Sequence, residues 1–408
     1  NIRQVAEKMD FDCDGKRDIG FLEPPTTVSG NGTFVVLLSS KNYSTAAGQY
    51  MSIQLGKIGD IPLVGDFNND CATDVAAYQP GGGQYYDDAT NTDGYWRWCP
   101  TSTANPANTS CSIVGIVSFG DRDDVPLAGL TFNSSGSQYL TTFNPRTGVW
   151  RWRLVNASFP VLTPSKTLGV PGSIPLPGLY DNDSMTDLAV YEPSTGNFKL
   201  LRSETGWNTL ILRPFGSKYV PQSGTASQRS GAVPLSGMTR QEWICPPGNP
   251  LCFFQPRRVF SLYFPQDGSW NTMWDPMSSS PTIDSCIFGN VAGDIPIPGL
   301  RYDSDFYSDM AVFRGDSYLS PARFYFKSST PSSPNSCNGS GSSAYYNSMI
   351  ARPRYQIFAV SDMTGDGKPD IMVIYPETMS VGVVKSPNFT LMQTYTMPST
   401  ITHRAHAL

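Results

Sequence analysis

The chain has 408 residues, of which 15% are charged and 12% aromatic, with 37 Gly and 34 Pro. This is a turn-rich composition with ample apolar content, which excludes a disordered chain, long charged helices and coiled coil. The net charge of −5 comes without a Lys/Arg cluster, and the longest apolar run is about five residues from Phe34, so neither nucleic acid nor a bilayer interior is an expected partner.

One unit recurs along the chain. MDFDCDGKRDIGFLEP begins at Met9 and IPLVGDFNNDCATDVAAYQP at Ile61; VPLAGL begins at Val125, with YLTTFNPRTGVWRW after it. IPLPGLYDNDSMTDLAVYEP follows at Ile174, VPLSGM at Val233 with VFSLYFPQDGSW after it, IPIPGLRYDSDFYSDMAVFRG at Ile295, and SDMTGDGKPDIMVIYPE at Ser361. With the Pro of the IPL element as anchor, the copies sit at Pro62, Pro126, Pro175, Pro234 and Pro296. Ala6 and Phe358 are the aligned positions of the end copies, and the mean spacing is about 59 residues.

Within each copy, runs such as DVAAY, DLAVY, DMAVF and DIMVI are short, apolar and rich in β-branched or aromatic residues, as strands buried on both faces are. A Pro follows, usually with a Gly soon after, which marks a hairpin. A second strand with alternating aromatics comes next, as in TGVWRWR, NFKLL and GSWNTMW. No segment predicts an amphipathic helix. Seven such units imply an all-β, seven-bladed β-propeller that fills residues 1–408 as a single domain, its ring closed by strands from both termini in one blade.

The chemistry-bearing signal is D-x-D-x-D-G-x-x-D. Repeat one supplies Asp10, Asp12, Asp14 and Asp18, with Gly15 at the sixth position; repeat two supplies Asp66, Asn68, Asp70 and Asp74; repeat seven supplies Asp362, Thr364, Asp366 and Asp370. Oxygens at alternate positions of a tight loop converge on one point, and a glycine at position six allows the left-handed turn that wraps the chain round an ion. Hard oxygen ligands without His or Cys select calcium. An EF-hand would need Glu at position twelve and a helix after it, so that reading fails. The alternative is that Asp, Asn and Gly merely make turns; three such loops at equivalent points of a repeat favour calcium. Repeats four and six keep Asp181, Asp183, Asp187 and Asp303, Asp305, Asp309, but Leu179 and Leu300 stand near the first-ligand position. Repeats three and five have lost the loop.

DFDCDGKRDIGFLEP and GDIPLVGDFNNDCATDVAAYQP resemble the FG-GAP/VCBS repeats of integrin α-subunit propellers and fungal propeller lectins. The resemblance covers essentially the whole chain. It implies a seven-bladed propeller with calcium in inter-strand loops, and no single function.

Eight cysteines, none in CxxC spacing, read as disulfides and an oxidising compartment rather than as a zinc site. Of the 105 possible pairings, the preferred local ones are Cys99–Cys111 and Cys245–Cys252, leaving Cys13–Cys71 and Cys286–Cys337. N-x-[ST] sequons stand at Asn31, Asn42, Asn108, Asn133, Asn156, Asn182, Asn338 and Asn388. A start at Asn1 without a hydrophobic leader suits a processed, secreted glycoprotein, so the expected location is extracellular.

Trp96/Trp98 and Trp150/Trp152 each flank an arginine, Arg97 or Arg151, and residues two apart on a strand share a face. Exposed pairs would stack on sugar rings; packing between blades is the favoured alternative, and the four remain candidate ligand contacts. The insertion from Gly94 to Cys111 is a candidate binding loop, and 328–343 reads as a solvated low-complexity loop. His403 and His406 read as a frayed tail. With these two the only histidines and no GxSxG, HExxH or P-loop present, the sequence predicts no enzyme. The expected function is a non-enzymatic, calcium-binding adhesion or recognition module for an extracellular glycan or protein ligand. The alternatives are a self-associating structural subunit of a filament, coat or matrix, and a polysaccharide-active enzyme.

Overall fold

The repeats build short strands, four to a sheet, because their apolar runs are brief and end at Gly, Pro, Asn or Asp turns. The structure, a computed structural model, describes residues 9–27, 29–81, 93–101, 115–154, 164–215, 232–244, 253–289, 293–300, 307–314, 323–327, 345–348, 356–365, 368, 370–375, 378, 380–385, 390–396 and 406–407. Among them the chain is all-β: seven four-stranded sheets, one two-stranded ribbon, and short 3-10 turns at Ser39–Lys41 and Ser203–Thr205. No helix among the described residues is long and apolar enough to cross a membrane.

Sheet two is representative. Ile61–Gly65, Asp74–Gln79, Asp93–Cys99 and Gly115–Asp121 pair in chain order, antiparallel, with Pro62 opposite Ala77 and Tyr78 opposite Trp96. The anchor prolines all fall in the first strand of their sheets: Ile61–Gly65, Val125–Thr131, Ile174–Pro175, Val233–Pro234 and Asp294–Leu300. That strand is always at a sheet edge, where a residue without an N–H costs no ladder bond. Phe358 likewise lies in the first strand of sheet seven, Gln356–Ser361.

Sheet one differs. Ile19–Glu23, Thr33–Leu37 and Tyr50–Gln54 pair in order, and the place before Ile19–Glu23 is taken by His406–Ala407, with Phe21 opposite Ala407 and Leu22 opposite His406. Segments from opposite ends of the chain therefore share one sheet. This corrects the frayed-tail expectation for His406, whose backbone is held in a sheet; His403 and Ala6 lie outside the described residues.

The chain forms two compact units, 1–171 with 358–384 and 391–408, and 172–357 with 385–390. In the first unit, sheet one is buried on both faces, and its central strand shows how. Phe34 and Val36 enter a cluster with Met9, Phe11, Val75 and Ala77, while Val35 and Leu37 enter another with Tyr43, Met363, Met372 and Val381. The two-residue period of a strand sorts alternate side chains to the two neighbouring sheets. In the second unit, Phe198, Leu200, Phe260, Leu262 and Phe264 form the equivalent core between sheets four and five, with the Phe198 and Phe260 rings stacked at 4.2 Å.

The tryptophan pairs are core residues. Trp96, Trp98, Trp150 and Trp152 are 0%, 3%, 0% and 4% exposed, so none offers a ring face to a sugar, and their candidacy as ligand contacts is corrected. Trp96 and Trp98 pack with Phe67, Tyr78, Phe119 and Leu140, and Trp152 stacks on Phe132 at 4.5 Å. The arginines between them are struts from the opposite strand face. Arg97 pairs with Asp60 and reaches Gln79, and Arg151 bridges Asp121 and Asp124. Arg97 and Asp60 are both buried at the side chain, so removing one partner strands the other's charge. Arg97→Ala is expected to lower unfolding free energy by about 3–5 kcal/mol, measurable by urea denaturation against Arg146→Ala, whose exposed pair with Asp123 predicts under about 1 kcal/mol.

Repeat five replaces its Asp loop by the ribbon Thr239–Ile244 with Phe253–Arg258. The ribbon leans on its neighbours, the Arg258 N–H donating to Leu179 O (2.8 Å) and the Ser308 N–H to Thr239 O (2.9 Å). The predicted Cys245–Cys252 pair, the Gly94–Cys111 loop beyond Thr101 and the 328–343 segment lie outside the described residues.

Candidate metal centre

The Asp loops lead into the second strand of their sheets, and in repeats two, four and seven they come from the first, so each loop sits at the same sheet end. Four can be compared: Asp10–Asp18, Asp66–Asp74, Leu179–Asp187 and Asp362–Asp370. Their ninth residue is a fully buried aspartate in every case, Asp18, Asp74, Asp187 and Asp370. One of its oxygens accepts the N–H of the loop's second residue: Phe11 (2.6 Å), Phe67 (3.0 Å), Tyr180 (2.7 Å) and Met363 (3.0 Å). The other accepts an N–H from the chain just past the sheet's third strand: Ser39 (2.7 Å) on Asp18, Thr101 (2.8 Å) on Asp74, Ser203 (2.7 Å) on Asp187. The ninth aspartate thus clamps the loop to the next turn.

The first residue closes the loop on itself. Asp10 accepts the N–H groups of Asp14 (3.0 Å) and Gly15 (2.8 Å), and Asp66 those of Asp70 (3.0 Å) and Cys71 (2.9 Å). The fourth and sixth residues carry left-handed backbone, φ 61° at Cys13, 88° at Gly15, 63° at Asn69 and 78° at Cys71. That conformation turns the alternate side chains inward.

The third position is where the loops are incomplete. Asp12 Oδ1 and Thr364 Oγ1, at equivalent positions of repeats one and seven, are both buried without a hydrogen-bond partner among the described residues. In repeat one, carboxylate oxygens of Asp10, Asp12 and Asp18 lie within 4.8 Å of one another. Oxygen lone pairs gathered this closely, with one left unsatisfied, are a donor set suited to a hard cation. In repeat two the third residue is an amide, and Asn68 satisfies itself on Asp70 through its own Nδ2 and the Asp70 N–H.

Several contributors have no counterpart in the sequence motif. Ser39 Oγ donates to Asp14 Oδ2 (2.8 Å) and Ser40 Oγ to Asp12 Oδ2. In repeat four, Ser203 Oγ lies 2.8 Å from both Asp183 Oδ1 and Asp187 Oδ1 and 3.2 Å from Asp181 Oδ2, so one hydroxyl is shared by three carboxylates. Tyr43 and Trp207, at equivalent places four residues past these serines, both take left-handed backbone (φ 54° and 57°). Their side chains donate to the carbonyl before the ninth aspartate, Tyr43 to Arg17 O (3.0 Å) and Trp207 to Thr186 O (3.0 Å). A hydroxyl two residues past an apolar strand, with an aromatic four residues further on, is the signal in SSKNY and SETGW that could have found them.

Burial sets the electrostatics. It pushes the Asp18 carboxyl up to about 8, reinforced by the Asp12 charge and opposed by the Ser39 and Phe11 N–H groups. Burial also pushes Asp74 up to about 8 against the Thr101 and Phe67 N–H groups, and Asp187 up to about 7, where the Asp181 charge adds to it. Asp10 and Asp66 are raised for the same first reason.

Asp309 is fully buried and opens its strand as Asp74 and Asp370 do; Asp303, Asp305 and Asp366 lie outside the described residues. Cys13 and Cys71 form a disulfide, and Cys99 and Cys286 are disulfide-bonded. Their predicted partners Cys111 and Cys337 lie outside the described residues. Of the sequons, Asn31, Asn42 and Asn182 are exposed and Asn133 is half-buried, its Oδ1 accepting the Ser135 hydroxyl at 2.8 Å. Asn108, Asn156, Asn338 and Asn388 lie outside the described residues.

Fold and loops together define an all-β protein of four-stranded sheets with acidic loops at one end of several of them. No protein-family model matches the chain, and no curated protein matches it. Among solved structures it is similar to a Bacteroides fragilis protein described as a candidate 6-phosphogluconolactonase, at 10% identity and a TM-score of 0.42, over 96% of this chain and 98% of that one. It is also similar to a Lactobacillus plantarum protein, at 9% identity and a TM-score of 0.43, over 96% and 99%. With an enzyme name among these likenesses, the expectations of a non-enzymatic adhesion or recognition module, and of no enzyme, are corrected and not carried further. At this level of likeness no activity or substrate passes to this chain.

Proposed function

We propose that the chain is a calcium-binding, seven-bladed β-propeller of the FG-GAP/VCBS kind that works outside the cell, with calcium in the loops of repeats one, two, four and seven. The observation that carries the reading is the pair of buried oxygens without a partner among the described residues, Asp12 Oδ1 and Thr364 Oγ1, at the third position of two separate loops. Asp10, Asp12, Asp14 and Asp18 would hold the ion in repeat one, Asp66, Asn68, Asp70 and Asp74 in repeat two, Asp181, Asp183, Asp187 and Ser203 in repeat four, and Asp362, Thr364, Asp366 and Asp370 in repeat seven. All are hard oxygen donors, the set that favours calcium. When bound, the ion supplies the positive charge that these buried carboxylates otherwise lack. The protein's own part is to close each loop through its first aspartate and to tie it to the following turn through its ninth. Seven four-stranded sheets and the shared first sheet support the ring, and the Cys13–Cys71 disulfide supports an oxidising compartment.

Metal analysis after dialysis against dilute calcium is expected to find several ions per chain, and fewer in Asp12→Ala. A calcium-free protein whose melting is indifferent to EGTA would overturn the reading. At a hundredfold excess over Kd, each filled site is expected to stabilise the fold by about 2.7 kcal/mol.

A further inference from the structure

The loops of repeats one and two are joined to each other. Cys13, the fourth residue of the first loop, stands between Asp12 and Asp14; Cys71, the sixth of the second, follows Asp70. The disulfide between them spans a Cα separation of 5.7 Å. Both cysteines hold left-handed backbone, a conformation that a non-glycine residue rarely adopts. A second tie runs alongside, the Thr73 N–H donating to Asp10 O (2.8 Å) and the Asp10 N–H to Thr73 Oγ1 (3.0 Å). The first residue of one loop and the residue before the ninth of the other are thereby fixed together.

We propose that the loops of repeats one and two form a coupled pair of cation sites gated by the Cys13–Cys71 disulfide. This rests on the calcium reading above. An ion in either loop orders backbone that the disulfide and the Asp10–Thr73 pair share with the other, so the second ion has less disorder to remove. Reduction by a dithiol moves two electrons and two protons onto the protein. The Sγ–Sγ bond breaks, Cys13 and Cys71 become thiols, and the dithiol closes to its own disulfide. The two turns then lose their covalent brace, and both ions bind more weakly. Linkage is reciprocal, so bound calcium protects the disulfide; a tenfold change in affinity corresponds to about 30 mV for this two-electron couple. Repeat seven provides an internal reference, because Gly365, φ 76°, stands where Cys13 does and its loop contains no cysteine.

The test is calorimetric titration of the full chain with calcium chloride, comparing the disulfide-intact protein with Cys13→Ser/Cys71→Ser. Binding at the two linked sites is expected to weaken about tenfold in the double variant, within the five- to 150-fold range of typical couplings, while the repeat-seven event is unchanged. Equal affinities in the two proteins overturn the coupling and leave the calcium reading standing; no uptake by the intact protein overturns both. Should the double variant fail to fold, Asp66→Asn with the disulfide intact takes its place. It is expected to weaken several-fold the event that Asp12→Asn abolishes, and an unchanged event overturns the coupling.

Discussion

In EGTA, the protein is expected to lose stability steadily as pH rises from about 4 to about 8, and added calcium is expected to abolish that loss. The cause lies in the ninth aspartates. Asp18 and Asp74 carry folded-state values pushed up to about 8 and Asp187 to about 7, against 3.8 for an ordinary aspartate. Below about pH 4 folded and unfolded chains are both protonated at these groups, and the full stability is present. Between about 4 and 8 the folded protein retains protons that the unfolded chain has released, so stability falls with each unit of pH. Above about 8 both are ionised and the slope ends. Calcium supplies charge compensation for the ionised form, so its stabilising effect grows with pH across the same window. Thermal melts at half-unit intervals, with and without EGTA, read this directly; a calcium effect of constant size from pH 4 to 8 counts against these aspartates facing the ion.

The second large effect separates clamp from ligand. Asp74→Ala removes the acceptor for two buried N–H groups, Phe67 and Thr101. Each buried donor left unpaired costs about 1–3 kcal/mol, so a loss of roughly 2–6 kcal/mol is expected and should persist in EGTA. Asp70→Ala, at an exposed position whose Oδ1 takes only the nearby Ala72 N–H among its backbone bonds, is expected to cost little in EGTA but to remove the calcium-dependent increment of its site. Chemical denaturation of both variants in calcium and in EGTA gives four numbers. Equal losses for Asp70→Ala in the two conditions would remove it from the ligand set.

The repeat, its two apolar strands of the DVAAY and NFKLL kind and the Asp loops were legible because each lies within a few consecutive residues, whereas the Pro anchor marked the register without marking a strand. Pro62, Pro126, Pro175, Pro234 and Pro296 all landed in first strands. What escaped was assembled across longer intervals. Ser39, Thr101 and Ser203 reach the loops only after a hairpin has brought the chain back, at sequence separations of 21, 27 and 16 from their aspartates. Asp60 and Arg97 meet across 37 residues, so the Trp-Arg-Trp pattern, whose tryptophans read better as packing, gave no sign of the ion pair that holds its arginine. His406 read as tail because nothing local marks a two-residue strand whose partner is Leu22. Function was the least legible of all, since a cation loop specifies what holds the loop and not what the surrounding surface meets.

The pairing of Phe21 and Leu22 with Ala407 and His406 also orders events in time. Sheet one cannot acquire its edge until residues near 406 have left the ribosome, although the strand they join is made far earlier. Until then the nascent chain carries an open β-edge at Ile19–Glu23, able to pair with whatever strand arrives first. A chain stopped short of residue 406 therefore has the early strands without the partner that closes them, and its unpaired edge is open to mispairing.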